Sequence, residues 1–317
     1  MLYKKMSGRL GNQLFQYAAV RAYQLKYRPT EKIVLDFSTV YEQGPKEKGF
    51  DNSLKDFLLP QDTVIEGTMY MTVPQKLAYY YYKGICFIKK KTSSAKDYER
   101  KRTLLEEKLS KYLQSQGLFC YSDGFHPLKD VKAKNVLFYG FYESPKYFNE
   151  YKEILQKEFT PKEKELKENK ELYNIIDHTE SVCVTVRAGD FLSEEFRERH
   201  YVCNATYFEE AIAYMKKKIK NPQFIVFSDD VEWVKENLKF PENTLYERGN
   251  DPVWEKLRLM YRCKHFILSN STFSWWAQYL CRNEEKIVVA PSRWNNYQDN
   301  PDIYEENWHL IEPKKEE

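Results

Sequence analysis

The second half of the chain alternates short apolar runs with amphipathic segments, and this alternation constrains the fold more than any other feature. The runs are rich in β-branched and aromatic residues, which is typical of strands buried in a sheet. They are VCVTVR at 182–187, FIVF at 224–227, HFIL at 265–268 and IVVA at 287–290. Helical segments separate them, so we expect a parallel sheet with helices on its faces.

The first half begins in the same way. Met1 to Met6 is a predicted strand, a glycine-punctuated loop runs to Gln13, a helix continues to about Tyr27, and KIVLDF at 32–37 is the next strand. Residues 41 to 130 lack this regularity and favour a helical insertion. We therefore predict an α/β protein of two domains, with parallel sheets flanked by helices.

We place the boundary between the two domains near residue 175, in a charged stretch that resembles a helix followed by a linker. The N-terminal domain is then 1–175, with the helical insertion at about 41–130, and the C-terminal domain is 176–317.

Composition excludes several classes of protein. The formal net charge of +3 is too small for a dedicated nucleic-acid binder. None of the six cysteines forms a CxxC pair, so a zinc site is not expected. The chain shows neither the apolar run of a signal peptide nor a segment long enough to span a bilayer, so we expect a cytoplasmic protein.

Polar residues follow three of the predicted strands. Arg187 to Asp190 follows the first, Ser228 to Asp230 the second and Ser269 to Thr272 the third. Ligands of open parallel sheets bind beyond the carboxyl ends of the strands, so these residues should converge on one crevice.

Two of these groups have the chemistry to hold phosphate. Ser271 and Thr272 lie where a helix begins, and exposed helical N–H groups bind anions; ordinary N-capping is the alternative. The guanidinium of Arg187 can hold two phosphate oxygens at once; a salt bridge to Asp190 or Glu194 is the alternative.

Asp229 and Asp230 could accept hydrogen bonds from a base or a ribose, or one of them could cap the helix that starts at Val231. No Asp-x-Asp pair occurs in the chain, and the five histidines lack the spacing of metal ligands. We therefore expect no metal and no other cofactor.

With these residues, the chain resembles the bacterial α-1,2-fucosyltransferases of glycosyltransferase family 11. The resemblance rests on five motifs: GRLGNQLFQYA at 8–18, FYGFYESPKYF at 138–148, RAGDF at 187–191, FSDD at 227–230 and CKHFILSNSTFSWW at 263–276. Pro291 and Trp294 extend the match, which spans the chain apart from roughly residues 41 to 130.

The resemblance implies a GT-B-like fold of two Rossmann-like domains, whose parallel sheets face a central cleft. The N-terminal domain would lie on the acceptor side, and the C-terminal domain would bind the nucleotide sugar. It implies transfer of L-fucose from GDP-fucose to a glycan hydroxyl, with α-1,2 linkage, inversion and no metal, in surface polysaccharide synthesis. The implied catalytic residues are Arg187, Asn12 and Asp190. The implied donor-binding residues are Gly11, Arg187, Asp229, Asp230, Asn270, Ser271, Thr272 and Phe273.

Two positions depart from the family pattern. Thr185 occupies the place of the motif histidine, and Ala188 that of the second arginine. Two alternatives therefore stay open: a related transferase that uses another nucleotide sugar, and a non-catalytic protein that binds glycans or nucleotides.

The expected partners are a nucleotide-sugar donor and an oligosaccharide or lipid-linked glycan acceptor, without nucleic acid. An aromatic segment at 77–88 precedes three lysines at 89–91. This segment favours either peripheral contact with the inner membrane face or a helix packed on its own domain.

Overall fold

The computed structural model describes residues 1–189, 194–297 and 302–314. The chain divides into two compact units, Met1–Phe159 and Thr160–Glu317. Each unit contains a parallel sheet with helices, which confirms the predicted α/β class.

The described part of the first unit contains a five-stranded parallel sheet in the order β3-β2-β1-β5-β4. Its strands are β1 (Leu2–Lys5), β2 (Ile33–Asp36), β3 (Val64–Glu66), β4 (Leu118–Cys120) and β5 (Val136–Tyr139). Its helices are α1 (Leu10–Tyr27), α2 (Ser38–Gln43), α3 (Val73–Lys91), α4 (Ala95–Ser115) and α5 (Lys152–Glu158), with short 3-10 turns between several elements.

Helix α1 is the central helix of this unit. Its apolar residues Leu14, Phe15 and Ala18 are fully buried. Its polar residues are tied to α5, where the carboxylate of Glu158 accepts hydrogen bonds from Tyr17 Oη at 2.6 Å and Arg21 Nη2 at 2.7 Å. A buried carboxylate with these charge-assisted bonds fixes α1 against α5.

The segment predicted as a helical insertion contains the helices α3 and α4 and also two edge strands. Strand β3 pairs with β2, and strand β4 pairs with β5, both in parallel. Each of these strands is only three residues long, too short to show the period-2 pattern that identifies a strand in a sequence.

The second unit contains a six-stranded parallel sheet, within its described residues, in the order β11-β10-β9-β6-β7-β8. The strands are β6 (Glu180–Val186), β7 (Pro222–Ser228), β8 (Leu245–Tyr246), β9 (His265–Ile267), β10 (Val288–Pro291) and β11 (His309–Ile311). The helices are α6 (Lys170–His178), α7 (Glu194–His200), α8 (Ala205–Lys218), α9 (Val231–Asn237), α10 (Val253–Arg262) and α11 (Thr272–Leu280).

The chain passes from the first compact unit to the second between Phe159 and Thr160. The sequence places the domain boundary later, near residue 175. The intervening residues pack with the second unit. The Leu166 N–H donates to Glu255 Oε1 at 3.0 Å, and Asn169 Nδ2 donates to the same oxygen at 3.1 Å. Glu255 lies on α10 and is buried, so these contacts join the segment to the helical layer of the second sheet.

Candidate functional site

The three strands that end in polar residues are neighbours in the second sheet. Strand β6 pairs with β9 on one side and with β7 on the other. The register aligns Val186 with Ser228 and Val184 with Ile267. The loops after the three strands therefore begin at one edge of the sheet, as the sequence predicts.

Arg187 follows β6 directly and pairs with the residue that follows β7. Its Nη1 lies 3.0 Å from Asp229 Oδ2, and the two side chains are 24% and 25% exposed. The other oxygen of Asp229 accepts a hydrogen bond from the Ala188 N–H at 2.9 Å. The carboxylate of Asp229 thus binds both the guanidinium of Arg187 and the backbone N–H of Ala188.

This contact differs from the partners that the sequence suggests for Arg187. Asp190 lies outside the described residues, and the side chain of Glu194 is not described, so neither can be placed. Asp229 itself was predicted near the nucleoside. The alignment of Val186 with Ser228 brings the next residue of each strand together, which explains the pair.

Gly189 permits the close approach of this carboxylate. A Cβ atom at this position would lie 2.8 Å from Asp229 Oδ2, a distance that real Cβ atoms do not tolerate. Any larger residue would therefore displace the carboxylate that orients Arg187. The glycine is part of the RAGDF motif, but its contact with Asp229 requires the fold.

Thr185 connects β6 to the loop after β9. Its hydroxyl oxygen accepts a hydrogen bond from the Ser269 N–H at 2.9 Å. Ser269 Oγ in turn lies 3.1 Å from Ser274 Oγ, on the first turn of α11. All three side chains are buried, so this chain of hydroxyls fixes the strand end relative to the helix.

The side chain of Asn270 also fixes the loop after β9, through two hydrogen bonds. Its Nδ2 donates to the carbonyl oxygens of His200 and Trp294, each at 2.9 Å. The side chain is only 4% exposed. Asn270 was predicted to bind the donor, and these bonds give its side chain a structural function, the fixing of Ser271 and the start of α11.

Ser271 is the N-cap residue of α11, and Thr272 and Phe273 form its first turn. All three are half-buried. In the part of the chain that the structure describes, the Ser271 side chain makes no capping hydrogen bond to the helix. The capping alternative is therefore not observed for Ser271, and the hydroxyl is placed beside the positive end of the helix dipole.

Asp230 has the capping function that the sequence allowed for one of the two aspartates. Its Oδ1 accepts a hydrogen bond from the Trp233 N–H at 3.0 Å, at the start of α9. The adjacent carboxylates therefore have different surroundings: Asp229 binds Arg187, and Asp230 caps a helix.

His200 lies at the end of α7, and its pKa is lowered in this environment. Burial is the largest cause that lowers its pKa, to about 4, and the charges of Arg199 and Arg187 lower it further. The sequence predicts a structural rather than a catalytic function for this histidine, and it contains no signal for the two arginines near it. Because the charges of Arg199 and Arg187 contribute to the lowered pKa, both guanidinium groups act on the same buried imidazole.

Gly11 and Asn12, the residues predicted to face the sugar, lie at the start of α1 in the first unit. Two buried glutamines bond to the backbone at the start of this helix. Gln13 Nε2 donates to the Gly8 carbonyl at 2.9 Å, and Gln16 Nε2 donates to the Asn12 carbonyl at 3.0 Å. These positioning residues belong to the N-terminal motif, although sequence reasoning assigned them no function.

The described residues show neither a cluster of metal-ligating side chains nor a membrane-spanning helix. No group of three or more His, Cys, Asp or Glu side chains has the arrangement of a metal site in residues 1–189, 194–297 and 302–314. No helix in these ranges is both long and apolar enough to cross a membrane.

The fold defines a Rossmann-like α/β protein with Arg187, Asp229 and Ser271 at the carboxyl ends of neighbouring strands of its second sheet. A solved structure shares the fold: the NodZ α-1,6-fucosyltransferase co-crystallised with GDP is 13% identical, with a TM-score of 0.50. The alignment covers 87% of this chain and 91% of that one. This likeness agrees with the predicted GT-B-like class.

The family follows from the sequence match. The model of the family described as "Glycosyl transferase family 11" matches residues 69–312, which is more than half of the chain. The chain therefore belongs to glycosyl transferase family 11, as its motifs predict.

Two curated relatives come from Escherichia coli. An "alpha-1,2-colitosyltransferase" is 35% identical over 188 residues, which are 56% of this chain and 63% of that protein. The match thus spans less than two thirds of that relative. The "O-antigen biosynthesis glycosyltransferase WbnK" is 26% identical over 301 residues, which are 92% of this chain and 94% of that protein.

Proposed function

We propose that the chain is an inverting, metal-independent α-1,2-fucosyltransferase that uses GDP-fucose. The proposed acceptor is an oligosaccharide or a lipid-linked glycan, modified in the cytoplasm during surface polysaccharide synthesis. Membership of glycosyl transferase family 11 supports the reaction class. The names of the two relatives, an α-1,2-transferase and an O-antigen glycosyltransferase, support the linkage and the polysaccharide.

The observation that carries this proposal is the position of Arg187. Arg187 directly follows β6 and is held by Asp229 at 3.0 Å. Strand β6 pairs with β9, and the loop after β9 leads to the N-terminus of α11. A fixed guanidinium and a helix N-terminus at one sheet edge suit a diphosphate, because both direct positive charge at its oxygens.

The proposed reaction is a displacement at the anomeric carbon of the donor. The acceptor hydroxyl oxygen forms a bond to this carbon, while the bond from the carbon to the diphosphate oxygen breaks. GDP leaves with the electron pair, and the hydroxyl proton passes to a base. Negative charge grows on the diphosphate in the transition state, where Arg187 and the N–H groups of α11 would stabilise it.

The first unit would supply the sugar-facing residues Gly11 and Asn12 in this proposal. Asp190, which follows Gly189 and lies outside the described residues, is the available base in this proposal, with support of Arg187 as its alternative function. Asp229 has a positioning function in the proposal, because its carboxylate is bonded to Arg187 and to the Ala188 N–H.

A second candidate function is the transfer of a different sugar. Colitosyl transfer is supported by the relative of that name, which is 35% identical over its matched region. Thr185 supports this candidate too, because a buried threonine stands where the family motif has a histidine. Both candidates require the same phosphate site and differ in the sugar.

A donor panel tests the proposal. The purified chain would be incubated with GDP-fucose, GDP-mannose, UDP-galactose and dTDP-rhamnose, and unfolding would be followed by thermal shift. Ligand at about 100 times its Kd should stabilise the fold by roughly 2.7 kcal/mol. Protection by GDP and GDP-fucose alone supports the proposal, whereas protection by UDP or dTDP donors and not by GDP contradicts it.

A further inference from the structure

Helix α3 exposes a continuous apolar face. The exposed fraction is 70% for Val73, 67% for Leu77, 67% for Tyr80, 59% for Phe87 and 62% for Ile88. Large apolar side chains are normally scattered over a surface, and a contiguous set marks an interaction site. At a rise of 1.5 Å per residue, this face extends for about 22 Å.

The spacing of these residues places them on one side of the helix. Val73, Leu77 and Tyr80 are spaced by four and three residues, and Phe87 follows Tyr80 by seven, which is the spacing of a helix face. The opposite side carries Ala78, Tyr82 and Cys86, which are buried in a hydrophobic cluster of the first unit. The core therefore uses one face of α3, and the other apolar face is left to a partner outside the unit.

The charge of α3 identifies the chemistry of this partner. The helix VPQKLAYYYYKGICFIKKK contains five lysines and no acidic residue. Lys76, Lys83 and Lys90 are exposed and recur every seven residues, so they form a row along one flank of the apolar face. A strip of apolar side chains beside a row of lysines complements a surface that is apolar inside and anionic at its boundary.

A second copy of the chain fits this face poorly. A twofold contact is self-complementary, so it would bring the lysines of one α3 close to those of the other without an acidic partner on either helix. An anionic bilayer has no such conflict, because acyl chains receive the apolar residues while lipid phosphates surround the lysines.

We propose that α3 lies in the plane of an anionic membrane surface and binds the protein to it peripherally. Leu77, Tyr80 and Phe87 would enter the boundary between headgroups and acyl chains, with the lysine row at phosphate level. This inference goes beyond the proposed transfer reaction and does not depend on it. Such contact would bring the first unit to the surface on which a lipid-linked acceptor is found.

Vesicle co-sedimentation of the full chain tests this proposal. The probes are vesicles of phosphatidylcholine alone and vesicles that also contain phosphatidylglycerol, each at low and high salt. We expect binding to the anionic vesicles at low salt, a decrease at high salt, and little binding to neutral vesicles. Absence of binding to anionic vesicles at low salt would overturn the proposal.

Variants locate the contact. Leu77→Ser combined with Phe87→Ser should weaken vesicle binding on the order of 10-fold or more, because two inserted apolar side chains are lost. Lys83→Gln combined with Lys90→Gln should weaken it roughly 5-fold for each lysine. The matched control is Leu310→Ser, at a residue of the second unit that is 41% exposed, and it should bind like the parent chain.

The same variants also test whether the substitutions act through misfolding or through dimer formation. Melting temperature and transfer to a water-soluble acceptor should not change in the α3 variants, since the replaced side chains are exposed. Equal vesicle binding by the parent chain and the Leu77→Ser, Phe87→Ser variant would overturn the proposal. A dimer in solution that this variant dissociates would also overturn it, because the face would then be covered by a second copy.

Discussion

Arg187 is the residue on which the proposed chemistry depends, and its surroundings predict how substitutions behave. Its guanidinium can bind two oxygens of a diphosphate in a fixed geometry, whereas a lysine at this position would offer a point charge. Its pair with Asp229 is about one quarter exposed on each side. Partly exposed pairs of this kind contribute little to folding, so the function of Arg187 can be separated from stability.

We predict that Arg187→Lys and Arg187→Ala each lose most of kcat. The loss of one charge-assisted contact in the transition state corresponds to roughly 30- to 1,000-fold in rate. The melting temperatures of the unliganded variants should stay close to that of the parent chain. Turnover and melting measured on the same preparations decide the matter, because a purely structural arginine would give lower melting temperatures and nearly normal turnover per folded molecule.

The adjacent aspartates provide a matched pair of substitutions. Asp229→Asn removes the charge that orients Arg187, and we expect kcat to fall roughly 10-fold. Asp230→Asn keeps a good N-cap for α9 and should change kcat much less. Steady-state kinetics on both variants check this order. The reverse order would assign the functional carboxylate to Asp230, and a raised donor KM for Asp230→Asn alone would support its predicted contact with the nucleoside.

The pKa of His200 can be measured by NMR and depends on the charge near Arg187. Its pKa is about 4 in the unliganded fold, and a diphosphate bound near Arg187 should raise it by supplying negative charge. NMR titration of the five histidines with and without GDP checks this shift. An unchanged pKa at saturating GDP would show that the nucleotide does not bind near this edge of the sheet.

The same depressed pKa predicts how stability depends on pH. The folded state binds a proton at His200 less readily than the unfolded state, whose ordinary pKa is 6.5. The stabilisation is therefore complete above pH 6.5 and is lost as the pH falls toward 4. Replacement by glutamine should flatten this part of the stability curve.

At the scale of elements, the site depends on how the loop after β9 is fixed to β6. Thr185→Val keeps the shape of the side chain but leaves the buried Ser269 N–H without its acceptor. Such a loss costs about 1–3 kcal/mol, so thermal unfolding should begin at a lower temperature. Thr103→Val is the control, because the Thr103 hydroxyl is only partly buried. Equal melting of the two variants would contradict the argument.

The sequence was sufficient to predict that the polar ends of β6, β7 and β9 lie at one edge of the sheet. Parallel strands end at a common edge, so Arg187, Asp229 and Ser271 could be brought together from their strand positions alone. The hydrogen bond from the Ala188 N–H to Asp229 and the contact at Gly189 could not, because both depend on the register of β6 against β7. Register follows from pairing across the sheet, which a single strand sequence does not contain.

Several element boundaries were also beyond sequence reasoning. The pattern Thr206-x-x-Glu209 predicts a capping box that opens a helix at Thr206, which is wrong, since Asn204 caps α8 by accepting a hydrogen bond at its Oδ1 from the Tyr207 N–H. The sequence also predicts 287–290 as the last strand, whereas β11 (His309–Ile311) follows it and pairs with β10. Asparagine is as good an N-cap as threonine, so local propensity did not decide between Asn204 and Thr206. The strand His309–Ile311 is too short to show the alternation of apolar and polar residues that identifies a strand.

For the whole molecule, the two units have different predicted contributions to the reaction. The second unit carries Arg187 and the N-terminus of α11, the proposed diphosphate site. The first carries Gly11 and Asn12 at the start of α1, where Gln13 and Gln16 bond to the backbone. Donor binding should therefore depend mainly on the second unit, while acceptor choice and membrane contact should depend on the first.

The most direct test of this account is product analysis with a single donor. The purified chain would be incubated with GDP-fucose, a galactoside acceptor and excess EDTA, and the product identified by mass spectrometry and by the NMR signals of the new linkage. We predict an acceptor that has gained one fucose in α-1,2 linkage, with the EDTA reaction as fast as one without it. The account would be contradicted by a reaction that needs added Mn²⁺ or Mg²⁺, or by no transfer from GDP-fucose under conditions in which another nucleotide sugar is used.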